Sequence, residues 1–309
     1  MQKYIVIADD LTGSNATCSL FKKIGLRAAS ILKLQGDINY DVDVISYSTA
    51  SRGLDKEEAY KKVSEAIKIL KNKDVLVYNK RIDSTLRGNI GTEINAMLDN
   101  LEDDRIAVVI PSYPDSGRIV VNKTMLVNGV LLENSDAGKD PKTPIKTSCV
   151  ESLIQKGIKY SSTYFTLSDI EQPIEEIVKK IQEAIKKSRV LIFDAVNNED
   201  IIKISKAIIH SDIDIVTVDP GPFTLYYSKE LQKKNHLEKK ILMVIGSVTA
   251  TTKKQIEYIL QEEDIFLVKM KVEDFFEKET CLKEIERVIA YIKKGIASYD
   301  LFLVTTSPI

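Results

Sequence analysis

Residues 3–13 read KYIVIADDLTG. The run Lys3–Ala8 is short and apolar, the pattern of a strand buried on both faces. It stops at two adjacent carboxylates, Asp9 and Asp10, and helical spacing follows over Asn15–Ile24 until Gly25. Outward from this stretch the alternation repeats. Strands are predicted at Val42–Tyr47, Asp74–Tyr78 and Ile106–Ile110, with helices over Lys56–Leu70 and Ile90–Leu101. Between 111 and 148 the pattern lapses into Pro, Gly, Asn and Asp around one apolar stretch, Met125–Leu132, and a long irregular segment is usually functional. Alternation then resumes. Strands are predicted at Val190–Phe193, Ile213–Val218, Ile241–Ile245, Ile265–Met270 and Leu301–Val304, and helices over Lys179–Lys187, Glu199–Ile209, Thr251–Leu260 and Leu282–Lys293. The expected fold is α/β in two domains, each with a largely parallel sheet flanked by helices. The boundary falls in the lysine-rich stretch, giving domains 1–235 and 236–309. The last strand has no covering helix after it, so the second domain is expected to be incomplete.

The bulk composition is that of an ordinary soluble protein: 309 residues, 44% hydrophobic, 29% charged. A net charge of -1 argues against a general nucleic-acid binder. Cys18, Cys149 and Cys281 lie far apart and read as unpaired thiols in a reducing compartment. The opening carries no signal peptide and no apolar run spans a bilayer, so the expected location is cytoplasmic. With only two histidines, His210 and His236, neither at a metal-ligand spacing, no metal site is expected from side chains alone.

Ligands of an open parallel sheet bind beyond the carboxyl ends of its strands, and here those ends carry unusual groups. The first delivers Asp9 and Asp10, which are costly to bury without a cation or substrate, although a cap or turn role is equally natural. The third runs into Asn79–Asn89, where Lys80, Arg81, Asp83, Ser84, Thr85 and Arg87 crowd beside a helix N-terminus. The fourth runs into PSYPDSGR, whose prolines and glycine fix the backbone and aim Arg118. The second contributes the weaker signal Ser51-Arg52-Gly53. Of eight arginines, four (Arg52, Arg81, Arg87, Arg118) fall in these loops, and a guanidinium fork suits carboxylate and phosphate. Farther on, Gly246, Ser247 and Thr251 open a helix after a strand. They can cradle a phosphate or simply cap the helix; the glycine-lysine-threonine ending of a Walker A loop is absent.

At these loops the chain resembles the four-carbon acid sugar kinases. The resemblance rests on IADDLTGSNAT (7–17), YSTASRGL (47–54), NKRIDSTLRGNIGTE (79–93), PSYPDSGR (111–118), DPKTP (140–144) and VIGSVTATTKKQ (244–255), in the family's order. It implies an N-terminal domain that binds the sugar acid and a C-terminal domain that binds ATP. It implies phosphorylation of the terminal hydroxyl of threonate, erythronate or a 3-oxo-tetronate to the 4-phosphate. By motif match, Asp10, Arg52, the segment Lys80, Arg81, Ile82, Asp83 and Ser84 would contact the sugar acid, and Ser247 the nucleotide. Family members usually continue past position 309 into a glycine-rich segment. Departures within the chain are Ser14, Asn15 and Ala16 in the first motif and Asn122 and Lys123 after Arg118.

The charge arrangement then sets the expected mechanism. Arg52, Lys80, Arg87 or Arg118 binds the substrate carboxylate, with Asp9 and Arg81 also in the site. Asp10 and Asp83 hold hydroxyls, and Asp10 takes the proton of the attacking hydroxyl. ATP with Mg²⁺ is the expected cofactor, since phosphoryl transfer needs alignment and charge neutralisation above all. The two domains would close to exclude water. The expected partners are a small sugar acid and a second copy of the chain; no nucleic acid and no membrane are expected. A second reading is a non-catalytic sugar-acid-binding or regulatory protein whose nucleotide site is lost by truncation. A third makes Asp9 the nucleophile of a phosphatase-like enzyme, but that chemistry wants an aspartate where Leu11 stands.

Overall fold

The computed structural model describes residues 3–34, 40–101, 104–237, 240–296 and 298–306. The chain divides into two compact units, Met1–Leu231 and Gln232–Ile309.

The first unit is built on β1 (Tyr4–Ala8), β2 (Ala28–Ile31), β3 (Val44–Ser48), β4 (Val77–Arg81), β5 (Ile106–Val109), β6 (Arg118–Val121), β7 (Thr124–Val127), β8 (Val130–Leu131), β9 (Ser162–Phe165), β10 (Val190–Phe193) and β11 (Ile215–Asp219). Its helices are α1 (Leu11–Lys22), α2 (Lys56–Leu70), α3 (Ile90–Leu101), α4 (Val150–Gln155), α5 (Leu167–Ile170), α6 (Ile174–Ala184), α7 (Asn198–His210) and α8 (Pro222–Leu237). Eight strands form one sheet in the order β2-β3-β1-β4-β11-β5-β10-β9, every pair parallel. One face packs Ile5, Ile7 and Tyr78 against Val63 and Ile67 of α2 and Ile94 and Met97 of α3. The other packs Val6, Val77 and Val108 against Phe21 of α1, Ile177 and Ile181 of α6 and Ile201 of α7. All five residues of β1 are buried, which explains its unbroken apolar run: neither face meets water. Each such side chain contributes about 1.5–3 kcal/mol relative to exposure.

Local chemistry sets the helix limits. Asp55 caps α2 by accepting from the Glu58 amide at 2.8 Å, and Glu57 and Glu58 complement the positive end of that helix. Asp10 caps α1, so that helix begins at Leu11, four residues earlier than its apolar spacing indicates. β4 also lies later than expected, reaching Arg81, so Lys80 and Arg81 belong to the strand itself. The segment after Pro111 is more regular than its composition suggests: β6, β7 and β8 form an antiparallel meander. Its turns are Asn122-Lys123 (φ 45 and 68) and Asn128-Gly129 (φ 51 and 79). Two consecutive left-handed residues are what a tight hairpin requires, and Asn tolerates that conformation. This accounts for the departure at Asn122 and Lys123.

The second unit has β12 (Ile241–Ile245), β13 (Ile265–Lys269) and β14 (Leu301–Thr305) in the parallel order β12-β14-β13, with α9 (Ala250–Glu262) and α10 (Lys278–Gly295). Its buried apolar cluster is small: Val268, Val288 and Val304 with Phe266, Met270 and Ile292 packed against them. The three cysteines are free thiols. Among the described residues, no helix is long and apolar enough to cross a membrane.

Candidate active site

The chain leaves β1 for β2 and β3 on one side and later enters β4 on the other. That reversal is a topological switch point, where the loops after neighbouring strands diverge and leave a crevice. In the sheet register Ala8 lies beside Ser48 and Arg81, and Arg81 beside Asp219. Asp9, Thr49 and Ile82 follow just above that row.

Asp9 is 3% exposed, and Arg52 grips it with both arms, Nε to Oδ2 at 2.6 Å and Nη2 to Oδ1 at 3.1 Å. The same guanidinium reaches Asp10 Oδ2 at 2.9 Å and Asp83 Oδ1 at 3.6 Å. Asp83 in turn is gripped by Arg87, Nε to Oδ2 at 2.7 Å and Nη2 to Oδ1 at 3.0 Å, and Thr85 donates to it at 2.5 Å. Burial pushes the Asp83 carboxyl up, but Arg87, Arg52 and Thr85 outweigh burial and hold it at about 2. Arg87 also pairs with Asp140 at 2.8 Å, and Asp140 accepts from the amides of Lys142 and Thr143, so DPKTP folds back onto the loop after β4. Asp9, Asp10, Arg52, Asp83, Arg87 and Asp140 thus form one continuous ionic chain. Asp10 does double duty: one oxygen caps α1 at Gly13, and the other faces Arg52. Ser84, half-buried beside Asp83, keeps a hydroxyl without a partner among the described residues.

Two neighbours on β4 point to opposite faces, as pleating requires. Lys80 is fully buried, and its three protons go to Glu93 Oε2 at 2.8 Å, Arg81 O at 2.8 Å and Ile7 O at 3.2 Å. Glu93 also accepts from Ser51 at 2.5 Å, and Ser51 is bonded to Thr49. This network ties β1, β4, α3 and the loop after β3 together, and it leaves Lys80 no free donor. Arg81 is the reverse case. It is 8% exposed, yet its Nε and Nη1 are buried without hydrogen-bond partners, and among the described residues no carboxylate lies within ion-pair distance. Burial lowers its pKa against the pull of Asp219, Asp9, Tyr113 and Asp10. Two glycines make its room: a methyl on Gly13 would sit 3.2 Å from Arg81 Nε, and one on Gly221 2.9 Å from Nη1. Ile82 is buried in the core below the loop.

Backbone strain gathers at the same edge. Ala50 (φ 51) and Leu86 (φ 57) are left-handed without being glycine, in the loops after β3 and β4. Such conformations cost about 1–3 kcal/mol and persist where surrounding contacts over-determine them.

Arg118 does not join the ionic chain. Its Nη1 donates to the carbonyl of Ser116 in its own turn, and its Nε is buried without a partner. Sequence reasoning passed over Asp219, fully buried at the end of β11, whose oxygens accept from Asn79 Nδ2 at 3.0 Å, the Gly221 amide at 2.7 Å and the Thr224 hydroxyl. Burial raises its pKa. The signal was present: an apolar run ending in Asp219-Pro220-Gly221, a carboxylate at a strand end followed by turn residues. It also passed over Glu93 and Asp194, the latter bonded to Tyr164 at 2.7 Å and pushed up by burial.

In the second unit, Gly246 follows β12 with open space around it, and Thr249 caps α9. Among the described residues, Ser247 bonds the hydroxyls of Thr252 (2.9 Å) and Thr249 (3.4 Å) and the Thr249 amide (3.5 Å). A bare glycine and hydroxyls at the start of a 13-residue helix suit a phosphate group.

Comparison with known proteins agrees with this division. Residues 4–227 match the model of a sugar-binding N-terminal domain, and 242–308 that of a nucleotide-binding C-terminal domain. The chain is 36% identical to the D-erythronate kinase of Heliobacterium modesticaldum over 99% of its own length and 71% of that protein. It is 29% identical to the D-threonate kinase of Salmonella typhimurium (84% and 61%) and 27% identical to the 3-oxo-tetronate kinase of Haemophilus influenzae (94% and 73%). The fold is shared with a domain of unknown function from Bordetella bronchiseptica, crystallised with citrate as a domain-swapped dimer (TM-score 0.66, 23% identity, 99% of this chain and 74% of that one). A Haemophilus influenzae protein shares it too (TM-score 0.65, 24% identity, 98% and 75%). With both domain models matched in order along nearly its whole length, the chain belongs to the four-carbon acid sugar kinase family.

Proposed function

We propose that the chain acts in ATP-dependent phosphorylation of the terminal hydroxyl of a four-carbon sugar acid, giving the 4-phosphate, and that Arg81 anchors the substrate carboxylate. The carrying observation is that buried guanidinium. A charge out of water with unpartnered N–H groups is costly, and a carboxylate bound across Nη1 and Nη2 would satisfy one of the two unpartnered nitrogens and neutralise the charge. Arg52 and Arg87 are already engaged by carboxylates, and Lys80 has no donor left, so Arg81 is the better anchor. Asp10, on the solvent side of the cluster, accepts the proton of the attacking hydroxyl, while Asp83 and Ser84 orient the other hydroxyls. Arg52 pairs with both Asp9 and Asp10 and so fixes where those carboxylates sit. Bound ATP, with Mg²⁺ on its phosphates, would supply the phosphoryl group; Gly246, Ser247 and Thr251 are proposed to hold it. The domain roles are proposed as sugar-acid binding for 1–235 and nucleotide binding for 236–309. A second copy of the chain is the proposed partner, by analogy with the dimeric Bordetella protein.

The relatives' names supply the substrate panel: D-erythronate, D-threonate and 3-oxo-tetronate, each offered with Mg-ATP, with ADP release and ³¹P NMR of the product as readouts. Turnover of one acid to a 4-phosphate is expected. Asp10→Asn should then lower turnover by about 10²–10⁴-fold with sugar-acid binding retained. Saturable acid binding without any phosphoryl transfer would reject the kinase reading.

A further inference from the structure

Beside the ionic chain, lined in part by Arg52, Gly88 and Asn89, lies a cavity of about 460 Å³. Five cations line it, Arg52, Lys56, Lys142, Lys146 and Lys156, and no carboxylate does. Among the described residues none of the four lysine ammonium groups has an acidic partner. Three acids near these lysines in sequence are engaged elsewhere: Asp55 caps α2, Asp140 holds Arg87, and Glu151 pairs with Lys123. Arg52 is paired with Asp9 and Asp10, but the four lysine charges around one concavity repel one another and raise the local concentration of anions. Placement is backed by packing. The Lys142 side chain lies against the bare backbone of Gly53, where a methyl group would come within 2.6 Å of its Nζ. Gly88 (φ 98) packs on Arg52, and the N-terminus of α3, which opens just after Asn89, adds its positive end.

The lining also says what kind of anion fits. Point-charge ammonium groups suit phosphate, and they also pair with a carboxylate without demanding a fork geometry. A phosphate alone, roughly the size of two or three waters of about 30 Å³ each, would leave most of the cavity empty. The remaining wall is mixed: Leu86, Ile145 and Leu153 are apolar, and Thr143, Thr147 and Ser152 carry hydroxyls. We propose that this cavity is a second anion site, which binds a phosphate monoester of a small hydroxy acid. It is distinct from the Arg81 site, and the proposal does not depend on the phosphoryl-transfer reading.

The test uses the full chain, 3-phosphoglycerate as probe and calorimetry at low ionic strength, with inorganic phosphate as the second arm. Saturable binding of 3-phosphoglycerate is expected, at least tenfold tighter than inorganic phosphate, and weakened at least tenfold in Lys142→Gln/Lys156→Gln. The substituted chain should keep the wild-type melting temperature and its affinity for the four-carbon acid. Absence of saturable binding overturns the proposal, as does binding that the lysine substitutions leave unchanged, which would place the probe elsewhere. Equal affinity for phosphate and 3-phosphoglycerate would leave a bare phosphate site and overturn the hydroxy-acid assignment.

Discussion

β1 and β12 are nearly the same sequence event: five residues, YIVIA and ILMVI, each followed within a few residues by a helix start. Their surroundings differ completely. Every residue of β1 is buried and its end is locked into a web of paired charges. In β12, Ile241 and Leu242 are 54% exposed and Val244 66%, and the loop beyond it bonds chiefly to itself. An apolar run therefore announces a strand but not its burial. Burial is decided by what the rest of the chain lays over the two faces, and α2 on one side with α1 on the other do so for β1. The charged edge beyond β1 is consequently pre-organised, whereas the hydroxyls in the loop after β12 are held mainly by one another.

The largest expected effect tests the locked edge. Lys80→Met strands Glu93 in the core, and removing one partner of a buried pair costs about 3–5 kcal/mol. Lys253→Met in α9, whose partner Glu257 lies 3.9 Å away on the surface, should change stability by less than about 0.5 kcal/mol. Urea denaturation of both variants checks the contrast; equal losses would show that the two units are not held differently.

Arg81→Met comes next and separates binding from stability. Loss of a buried charged partner for the substrate carboxylate should weaken sugar-acid affinity by about 3 kcal/mol, more than a hundredfold. Without ligand the melting temperature should hold or rise, because the substitution removes an unpartnered buried charge. A fall in melting temperature with affinity intact would refute the anchor.

A third effect, of about 2 kcal/mol, is set by Asp83. Its folded pKa of about 2 lies below the unfolded value of 3.8, so the unfolded chain takes up its proton first as pH falls. The stabilisation is complete above about pH 4 and is lost as pH falls through 2. Asp219 works in the opposite sense: its raised pKa means that the folded state binds the proton more tightly, so its contribution falls as pH rises above 3.8. Asp83→Asn should flatten the acid limb of the stability curve, and Asp219→Asn should flatten the part above it. Melting curves between pH 2 and 6 read both.

Much of this was legible beforehand. The βα alternation, the limits of α2 and α3 and the convergence of Asp9, Asp10, Arg52 and Asp83 follow from apolar periodicity and from the rule that strand ends carry the chemistry. What periodicity does not carry is pairing. β2, β6, β7 and β9 are only partly buried, so their sequences lack continuous apolar runs, and their existence depends on neighbours. The opposed fates of Lys80 and Arg81 were invisible for a related reason. They turn on one fact, that β4 extends to Arg81, and a strand boundary shifted by three residues puts both cations in a loop where pleating says nothing. Asp219 sits far along the chain and reaches the site only because β11 inserts between β4 and β5.

The smallest effect tests the open side of the comparison. Ser247 contributes to no helix cap, since Thr249 supplies that bond to the Thr252 amide. Ser247→Ala should therefore leave the melting temperature of the second unit unchanged, yet weaken nucleotide binding by about 1 kcal/mol, roughly fivefold, the net worth of one hydrogen bond. Thr249→Ala should do the reverse first, loosening α9 by about 1 kcal/mol through loss of its cap. If both substitutions lower stability equally and neither changes nucleotide affinity, the hydroxyls of this loop serve only the helix. The contrast would then not be between a filled site and an open one, but between a site and an ordinary helix start.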